Sequence, residues 1–290
     1  MKPLPEEVVH PSPQSTAQHM LPLADWPLAH RQGIIGVLTD IDDTLTTDGA
    51  ITPEALQALH DVKAAGLHLI AITGRPVGWS EEFALSWPVD AIVAENGAVA
   101  LQNTSNIGLQ PHRILRERLL KSYQTEAPQR AENYARMQQV LARIEREVPG
   151  AQRSTDSPGR ETDIAIDHSE FTHLPPERIA QVVQLMQSEG MHATVSSIHI
   201  NAWFGDHNKL QGARWIVRQL LGRDLDAELH RWVYIGDSTN DQLMFEAFPH
   251  SIGVANIARF AAQLAHLPRY VTQGERGAGF AQFSAFLLNR

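Results

Sequence analysis

Residues 34–48, "IIGVLTDIDDTLTTD", decide the fold, because an apolar run there ends abruptly in a group of carboxylates. The run is short and rich in Ile, which predicts a strand buried on both faces. Asp40, Asp42 and Asp43 follow it directly, with Asp48 close behind. Packed carboxylates repel each other and resist the loss of water. The stretch is therefore either a solvated turn or a site that holds a cation.

The composition narrows the classes of function. The chain has 290 residues, 43% of them hydrophobic, which is enough for one large core or two modest ones. A formal net charge of -9 argues against nucleic-acid binding, which needs a basic surface. The absence of cysteine excludes disulfides and thiolate ligands. No apolar run reaches the ~20 residues of a membrane span, and the N-terminus lacks the apolar core of a signal peptide. We expect a cytoplasmic protein without membrane attachment, whose oligomeric state stays open.

Strands and helices alternate on either side of a different central segment. Residues 52–66 predict a helix, with Thr52 as the N-cap and Pro53 at the first helical position. "LHLIAITGR" (67–75) and "DAIVAEN" (90–96) predict two further strands. Such alternation indicates a parallel sheet with helices on both faces. We therefore predict an α/β fold with a doubly wound parallel sheet.

The pattern changes after the dipeptide Asn96–Gly97, which is a hairpin signal. Residues 112–148 are charged and have a helical period, and we interpret them as two helices with a break at Pro128. Short strand-like runs follow, which predict an antiparallel α+β insert. The alternation then returns. We predict a flexible N-terminal arm at residues 1–32 and an inserted α+β domain at residues 98–200. The core domain is formed by two segments, residues 33–97 and 201–290.

Polar residues follow the predicted parallel strands, at the sheet edge where such folds bind ligands. Residues i and i+2 of a strand point to the same side, so Asp40 can be a nucleophile with Asp42 as a nearby acid or base. Asp237 and Asp241 add hard oxygen ligands of the kind that Mg²⁺ prefers. Taken alone, the first pair fits a solvated turn about as well, and the second pair fits helix capping.

Three further residues can act on a phosphate. Thr73 offers a hydroxyl at a strand end, although a plain strand-to-loop turn is the commoner role for such a residue. Lys209 begins a predicted helix, where its charge opposes the helix dipole, and this favours an anionic partner such as Asp40 or a phosphate. Arg75 can also contact a phosphate. Exposure to solvent is the alternative for both Lys209 and Arg75.

Together and in this order, four motifs resemble those of the haloacid dehalogenase superfamily of phosphohydrolases: "DIDDTL" (40–45), "TGR" (73–75), "NK" (208–209) and "GDSTND" (236–241). The insert lies where that family carries a C2-type cap. Its order of strands and helices is similar to the C2B caps of Cof-like, sucrose-phosphate phosphatase-like and mannosyl-3-phosphoglycerate phosphatase-like members. The resemblance implies a HAD-like core, with Mg²⁺ as the cofactor. Asp43 departs from the glycine that many relatives have at its position.

The resemblance implies a role for each motif residue. Asp40 would attack phosphorus, and Asp42 would act first as the acid and then as the base. Thr73 and Lys209 would steady the phosphoryl oxygens. The metal ligands would be Asp40, the backbone carbonyl of Asp42, and Asp237, with Asp241 in or next to the coordination shell.

The resemblance also implies a small phosphorylated metabolite as the partner, with a sugar phosphate as the first choice. The candidate substrate-binding residues are Thr44, Gly74, Arg75 and Asn240 in the core and Arg160, His199 and Asn201 in the insert. Arg160 can clamp a second anion or sugar hydroxyls, although a solvated turn arginine is its alternative. The leading prediction is a phosphatase that works through an aspartyl-phosphate. A phosphomutase on the same site and a non-catalytic sugar-phosphate-binding protein are the alternatives.

Overall fold

The computed structural model describes residues 19–106 and 118–289. In chain order the strands of this part are β1 (Leu21–Pro22), β2 (Gly36–Thr39), β3 (Thr46–Thr47), β4 (Ala50–Ile51), β5 (His68–Ile72), β6 (Ala91–Ala94), β7 (Val99–Asn103), β8 (Leu119–Tyr123), β9 (Gln152–Arg153), β10 (Ile164–Asp167), β11 (His192–Val195), β12 (His199–Trp203), β13 (Trp232–Gly236), β14 (Ser251–Gly253) and β15 (Tyr270–Val271). The α-helices are α1 (Leu28–Arg31), α2 (Pro53–Ala64), α3 (Val77–Ser86), α4 (Ala127–Glu147), α5 (Pro176–Ser188), α6 (Lys209–Leu221), α7 (Leu225–Glu228), α8 (Gln242–Ala247) and α9 (Arg276–Leu288).

A nine-stranded sheet forms the core, in the order β1-β15-β14-β13-β2-β5-β6-β7-β8. Its pairs are parallel from β1 to β6 and antiparallel at β6–β7 and β7–β8. The two-residue strands β3 and β4 form a small hairpin of their own after β2. The predicted α/β fold with a parallel sheet is therefore confirmed, as is the hairpin signal at Asn96–Gly97.

Successive residues of the buried strands face opposite layers of helices. Val37 of β2 belongs to a core with residues of α2, α3 and α9, whereas its neighbour Leu38 packs with residues of α6 and α8. Because both faces are covered, consecutive residues of the strand are apolar at Val37 and Leu38. The helix predicted at residue 52 also forms, and the Thr52 hydroxyl accepts a hydrogen bond from the Ala55 N–H at 3.4 Å.

The insert has its own antiparallel sheet, in the order β11-β12-β10-β9. Helices α4 and α5 pack on it, and their buried residues form a separate apolar core with those of the sheet. Pro128 lies at the start of α4 rather than in a break, because the first turn of a helix tolerates proline. The other predicted helix of the pair is wrong where the structure describes it, since Leu119–Tyr123 form strand β8 because they pair with β7. Residues 112–117 lie outside the described residues.

Strand β7, which we expected in the insert, pairs with the core sheet instead, and β8 pairs with β7. The reason is the hairpin itself, since a short turn after β6 places the next strand beside it. The antiparallel sheet of the insert begins only at β9, after helix α4. How the chain divides into domains stays a proposal, with the insert beginning near residue 124 rather than at 98.

The described part of the predicted N-terminal arm packs on the core. β1 pairs with β15 at the edge of the sheet, and Trp26 is 1% exposed. The Trp26 ring lies 5.9 Å from that of Tyr270 and 6.3 Å from that of Phe283, centroid to centroid. Residues 1–18 of the arm lie outside the described residues. Across residues 19–106 and 118–289, we find no helix with the length and apolar character that crossing a membrane requires.

Two glycines allow the insert to touch the core. A Cβ placed on Gly78, in α3, would lie 2.9 Å from the Cα of Gly159, which belongs to the insert. A Cβ on Gly159 would lie 3.1 Å from the Cα of Gly78. The two backbones are therefore in direct contact, and no side chain separates them.

Candidate active site

The four strand ends expected to carry the chemistry meet at one edge of the core sheet. Strands β13, β2, β5 and β6 are parallel neighbours, so the residues after them lie side by side. These residues are Asp237, Asp40, Thr73 and Glu95, and all four are buried. The carboxyl edge of a parallel sheet is the place where such folds bind ligands.

Lys209 joins the acids of β2 and β13. Its Nζ lies 2.6 Å from Oδ1 of Asp40 and 2.7 Å from Oδ1 of Asp241. It also donates to Oδ1 of Asn240 at 3.3 Å. Two carboxylates therefore offset the unfavourable position of a cation at the start of α6. The structure brings four of the predicted site residues together at this point.

A close approach of two backbones places Lys209. Gly97 has a φ of +110°, and a Cβ there would lie 2.3 Å from the carbonyl oxygen of Asn208. Asn208 is the N-cap of α6 and accepts from the Gln211 N–H. A Cβ on Gly212 would in turn lie 2.6 Å from the Cα of Gly97. The Asn96–Gly97 turn therefore also seats the first turn of α6, and with it Lys209.

The buried acids carry more negative charge than one lysine offsets. Burial raises the pKa of Asp40 to about 8, Lys209 partly opposes this, and the charges of Asp241 and Asp42 add to it. Burial raises the pKa of Asp237 as well, and so do Asp40 and Asp241. Burial lowers the pKa of Lys209, but Asp241 and Asp40 outweigh that effect and raise it. A cation here would favour the ionised form of Asp40.

The donor set fits a hard divalent cation. Asp40, Asp237 and Asp241 each place one oxygen within 4.8 Å of the others. Oδ1 of Asp237 is buried and has no hydrogen-bond partner among the described residues, whereas its Oδ2 accepts from Nδ2 of Asn256 at 3.0 Å. A buried carboxylate oxygen without a donor is unfavourable unless a cation binds it. An all-oxygen set of this kind suits Mg²⁺.

Asp241 differs from the other two acids because its oxygens are already engaged. Oδ1 accepts from Lys209 and from the Tyr234 hydroxyl. Oδ2 accepts from the N–H groups of Asp237 at 2.9 Å and Ser238 at 3.1 Å. A carboxylate has about four acceptor positions. The geometry therefore favours a place for Asp241 next to the coordination shell, which is one of the two positions that the sequence predicts.

Arg75, a predicted phosphate contact, binds carboxylates instead. Its Nε donates to both oxygens of Asp42, at 2.9 and 3.1 Å. One terminal nitrogen lies 3.4 Å from Oδ2 of Asp156, and the other lies 2.8 Å from Oε1 of Glu170. Burial lowers the Arg75 pKa, but Asp42 and Glu170 outweigh it and raise the pKa. Because Asp156 and Glu170 belong to the insert, Arg75 links the predicted acid/base to the insert.

Two predicted hydroxyl groups are buried near these acids. Oγ1 of Thr73 accepts from the Arg75 N–H at 3.0 Å. Oγ1 of Thr44 has no partner in the part of the chain that the structure describes. Gly74 leaves little room, since a Cβ there would lie 3.3 Å from Oδ1 of Asn96 and 3.4 Å from Oδ1 of Asn201. The strand end after β5 is thus closely packed by groups that can hydrogen-bond.

A small cavity lies between the core and the insert. Its volume is about 10 Å³, which is room for about one water molecule. A sugar-sized metabolite does not fit in this volume. The lining contains seven predicted site residues, namely Asp40, Asp42, Gly74, Arg75, His199, Asn201 and Asn240, together with Ser196, Ser197, Ile198 and Ser238.

Of the predicted residues in the insert, His199 and Asn201 line the cavity, but Arg160 is not among its described lining residues. Arg160 is 4% exposed and donates to Asp156, to Asp163 and to the carbonyl oxygen of Gly74. Its guanidinium is therefore taken up by groups of the chain itself. The second-anion clamp that we considered for Arg160 would require these bonds to break.

Sequence reasoning missed the acids of the insert that surround Arg75. Nε2 of His199 lies 2.8 Å from Oε2 of Glu170. Asp167 holds the loop of Glu170, because its carboxylate accepts four backbone N–H bonds, from residues 169 to 172. The run "DHSEFTH" has no pattern that marks it as a site. A carboxylate that precedes four potential donors at a strand end is the one signal that was available.

Asp43 forms an ion pair with the first residue of α9. Its Oδ1 lies 3.0 Å from Nε of Arg276, and Nη1 of Arg276 donates to Oδ1 of Asp48 at 2.6 Å. The φ of Asp43 is +54°, a left-handed conformation that glycine adopts without cost and aspartate tolerates. The backbone conformation at this position therefore also suits glycine.

Comparison with known proteins shows the family of the chain and its fold. A family model described as haloacid dehalogenase-like hydrolase matches residues 37–283. YxeH of Bacillus subtilis (strain 168), which is named as a candidate phosphatase, is 38% identical over 73 residues. That match spans 23% of this chain and 27% of YxeH, so it covers about a quarter of the curated relative.

Solved structures share the fold over most of the chain. The sucrose-phosphatase from Synechocystis sp. PCC6803, solved with sucrose and phosphate, is 16% identical, with a TM-score of 0.60, over 88% of this chain and 98% of that one. The C-terminal domain of a C. albicans trehalose-6-phosphate phosphatase is 13% identical, with a TM-score of 0.65, over 94% and 99%. Thermoplasma acidophilum 0175 is 18% identical, with a TM-score of 0.64, over 88% and 100%. At such identities the likeness shows the fold alone.

Proposed function

Because the chain belongs to the haloacid dehalogenase-like hydrolases, we propose that it hydrolyses the phosphate monoester of a sugar or a similar small metabolite through an aspartyl-phosphate. The observation that carries the proposal is the contact of Lys209 with Asp40, which lines the small cavity together with Asp42. A buried carboxylate held by an ammonium group, with a second carboxylate on the same cavity, is an arrangement for covalent phosphoryl transfer.

The first step forms a bond between an Asp40 oxygen and phosphorus and breaks the bond from phosphorus to the ester oxygen. Asp42, in its protonated form, gives its proton to the departing oxygen. Lys209 and the Thr73 hydroxyl steady the phosphoryl oxygens. In the second step Asp42 takes a proton from water as the water attacks phosphorus, which releases phosphate and restores Asp40. The ion pair of Asp42 with Arg75 must loosen for Asp42 to carry a proton.

Asp40, the backbone carbonyl of Asp42 and Asp237 would hold Mg²⁺, which when bound offsets the charge of the acids and of the phosphate. The unpartnered Oδ1 of Asp237 supports this assignment. The fold shared with a sucrose-phosphatase and a trehalose-6-phosphate phosphatase supports a sugar phosphate as the substrate.

A screen of phosphorylated sugars tests the proposal through the release of inorganic phosphate with Mg²⁺. Asp40→Asn should lower turnover by at least ~10⁴-fold, because amide nitrogen and oxygen cannot replace the attacking carboxylate. Asp61→Asn, at an exposed acid on α2, is the matched control and should behave as the wild type. Undiminished turnover in Asp40→Asn would exclude an aspartyl-phosphate.

A further inference from the structure

We propose that the leaving group of the substrate is uncharged and rich in hydroxyl groups, and that Glu170 and Asp156 exclude esters that carry a second anionic group. This inference rests on the proposed phosphatase activity and adds the class of ester that the site accepts. Three observations support it. The insert brings carboxylates to the cavity, Arg75 and Arg160 are already paired with carboxylates, and the cavity wall carries groups that can hydrogen-bond to hydroxyls.

The guanidinium of Arg75 is already compensated. It is 5% exposed and is in contact with three carboxylates, one from the core and two from the insert. A second phosphate or carboxylate on a substrate would have to displace Glu170 or Asp156 from it. The displaced carboxylate would lose its ion pair with Arg75 at a place where its side chain is only 11–17% exposed, which is unfavourable. Arg75 therefore does not serve as a free anion receptor.

Arg160 is compensated in the same way. It forms ion pairs with Asp156 and Asp163 and also donates to the Gly74 carbonyl oxygen. Burial raises the pKa of Asp163 to about 8 against the effect of Arg160. Even with Asp163 protonated, the carboxylates of Asp42, Asp156 and Glu170 outnumber the two guanidinium groups. A second anion on a substrate would meet a surplus of negative charge.

The remaining groups suit hydroxyls. His199 and Asn201 lie on β12 with one residue between them, are 2% and 1% exposed, and line the cavity. Nδ2 of Asn201 donates to Oδ2 of Asp163 at 3.1 Å, and Nε2 of His199 lies 2.8 Å from Oε2 of Glu170. Imidazole, amide and carboxylate groups together offer both donors and acceptors, which is what a polyol needs. Their mutual bonds keep them in place before a ligand arrives.

Matched pairs of esters test the charge filter on the wild-type enzyme with Mg²⁺. The pairs are glucose 6-phosphate with 6-phosphogluconate, glycerol 3-phosphate with 3-phosphoglycerate, and fructose 6-phosphate with fructose 1,6-bisphosphate. p-Nitrophenyl phosphate serves as a reference without hydroxyls on its leaving group. The neutral member of each hydrolysed pair should have a kcat/KM at least ~10-fold above that of its anionic partner. At least one neutral polyol ester should also exceed p-nitrophenyl phosphate in kcat/KM.

Variants test whether Glu170 and Asp156 cause the discrimination against anionic esters. Glu170→Gln and Asp156→Asn should each shift the ratio of kcat/KM values toward the anionic member by about 10-fold, because Arg75 is then freed in part. Glu177→Gln, at an exposed acid of the same insert, should leave the ratio unchanged. An equal or better rate with the anionic members, or p-nitrophenyl phosphate as the best ester, would overturn the inference. If no ester, including p-nitrophenyl phosphate, is hydrolysed, the proposed activity itself fails.

Discussion

Tyr234 donates its hydroxyl to Oδ1 of Asp241, the same oxygen that accepts from Lys209. The side chains of Tyr234 and Asp241 are both fully buried, so this hydrogen bond holds the Asp241 carboxylate in place within the core. Tyr234 lies within β13, three residues before Asp237. The strand that delivers the proposed metal ligand therefore also supplies a donor that orients the partner of Lys209.

Tyr234→Phe should destabilise the protein by about 1–2 kcal/mol, because a buried carboxylate loses one of its donors. It should also lower kcat several-fold by loosening Lys209, with KM less affected. Urea unfolding and steady-state kinetics measure the two effects. Tyr134→Phe, on the insert surface, is the control. A fully stable and fully active Tyr234→Phe would show that Asp241 is oriented without the tyrosine.

Lys209→Gln should lower kcat/KM by at least ~100-fold, because the transferring phosphoryl group loses its buried ammonium. Lys63→Gln, at an ion-paired but half-exposed lysine of α2, serves as the control and should retain wild-type kinetics. The measurement is phosphate release at saturating Mg²⁺. Retention of wild-type kcat/KM in Lys209→Gln would remove the lysine from the proposed mechanism.

Mg²⁺ should stabilise the folded protein, since it binds acids that are brought together only by folding. At a concentration about 100 times its Kd, the expected gain is about 2.7 kcal/mol. Thermal unfolding with Mg²⁺ and after chelation measures this without any substrate. The gain should disappear in Asp237→Asn and persist in Asp61→Asn. A gain that survives in Asp237→Asn would place the ion elsewhere.

Glu95 ties the core to the insert and gives a prediction about stability. Its buried carboxylate accepts from the N–H groups of Val77, Glu161 and Thr162 and from the Thr162 hydroxyl. Glu95→Gln would turn an NH₂ group toward these donors, so we expect a loss of at least ~2 kcal/mol. Glu82→Gln, exposed on α3, is the control in urea unfolding. An equal stability of the two variants would contradict the bridging role.

Acid should weaken the fold through two buried histidines. Burial, aided by His192, lowers the pKa of His207 to about 4, and burial, aided by His30, lowers that of His250 to about 4. Both are neutral in the folded protein, whereas the unfolded chain takes up protons below about pH 6.5. Stability is therefore full above that pH and falls toward pH 4, by about 2 kcal/mol per histidine between pH 7 and 5.

Unfolding free energies measured across this range check the slope. His250→Phe keeps an aromatic ring beside Trp26, which lies 5.6 Å from the histidine ring, and should reduce the slope by the contribution of one histidine. An unchanged slope in His250→Phe would mean that other groups cause the acid sensitivity.

The core and its sheet edge could be predicted from local patterns. The strand before Asp40 and the helix after Thr52 can each be predicted from residues that are close together in the sequence. Two features were not predicted: the pairing of β7 with the core sheet, and the packing of residues 19–32 on the core. The reasons differ. The hairpin signal at Asn96 implies that β7 pairs with β6, but β7 was assigned to the insert. The residues next to Trp26 in the sequence do not indicate the ring contacts that bury it.

The groups around Arg75 could not be predicted from local patterns. Glu170 lies 95 residues away in sequence, and Asp156 lies 81. These residues come together only because the insert docks on the core, and such docking produces no periodic pattern in the sequence. The same holds for Arg160, whose partners include the carbonyl oxygen of Gly74.

The contact of Gly78 with Gly159 sets a mechanical limit. Since backbone meets backbone there, no rotamer change at these two positions can bring the insert nearer to α3. A methyl group at either glycine would force α3 and the insert apart, because its carbon would lie 2.9 or 3.1 Å from the facing Cα atom. The absence of side chains at these two positions therefore sets how closely the insert approaches the core beside α3.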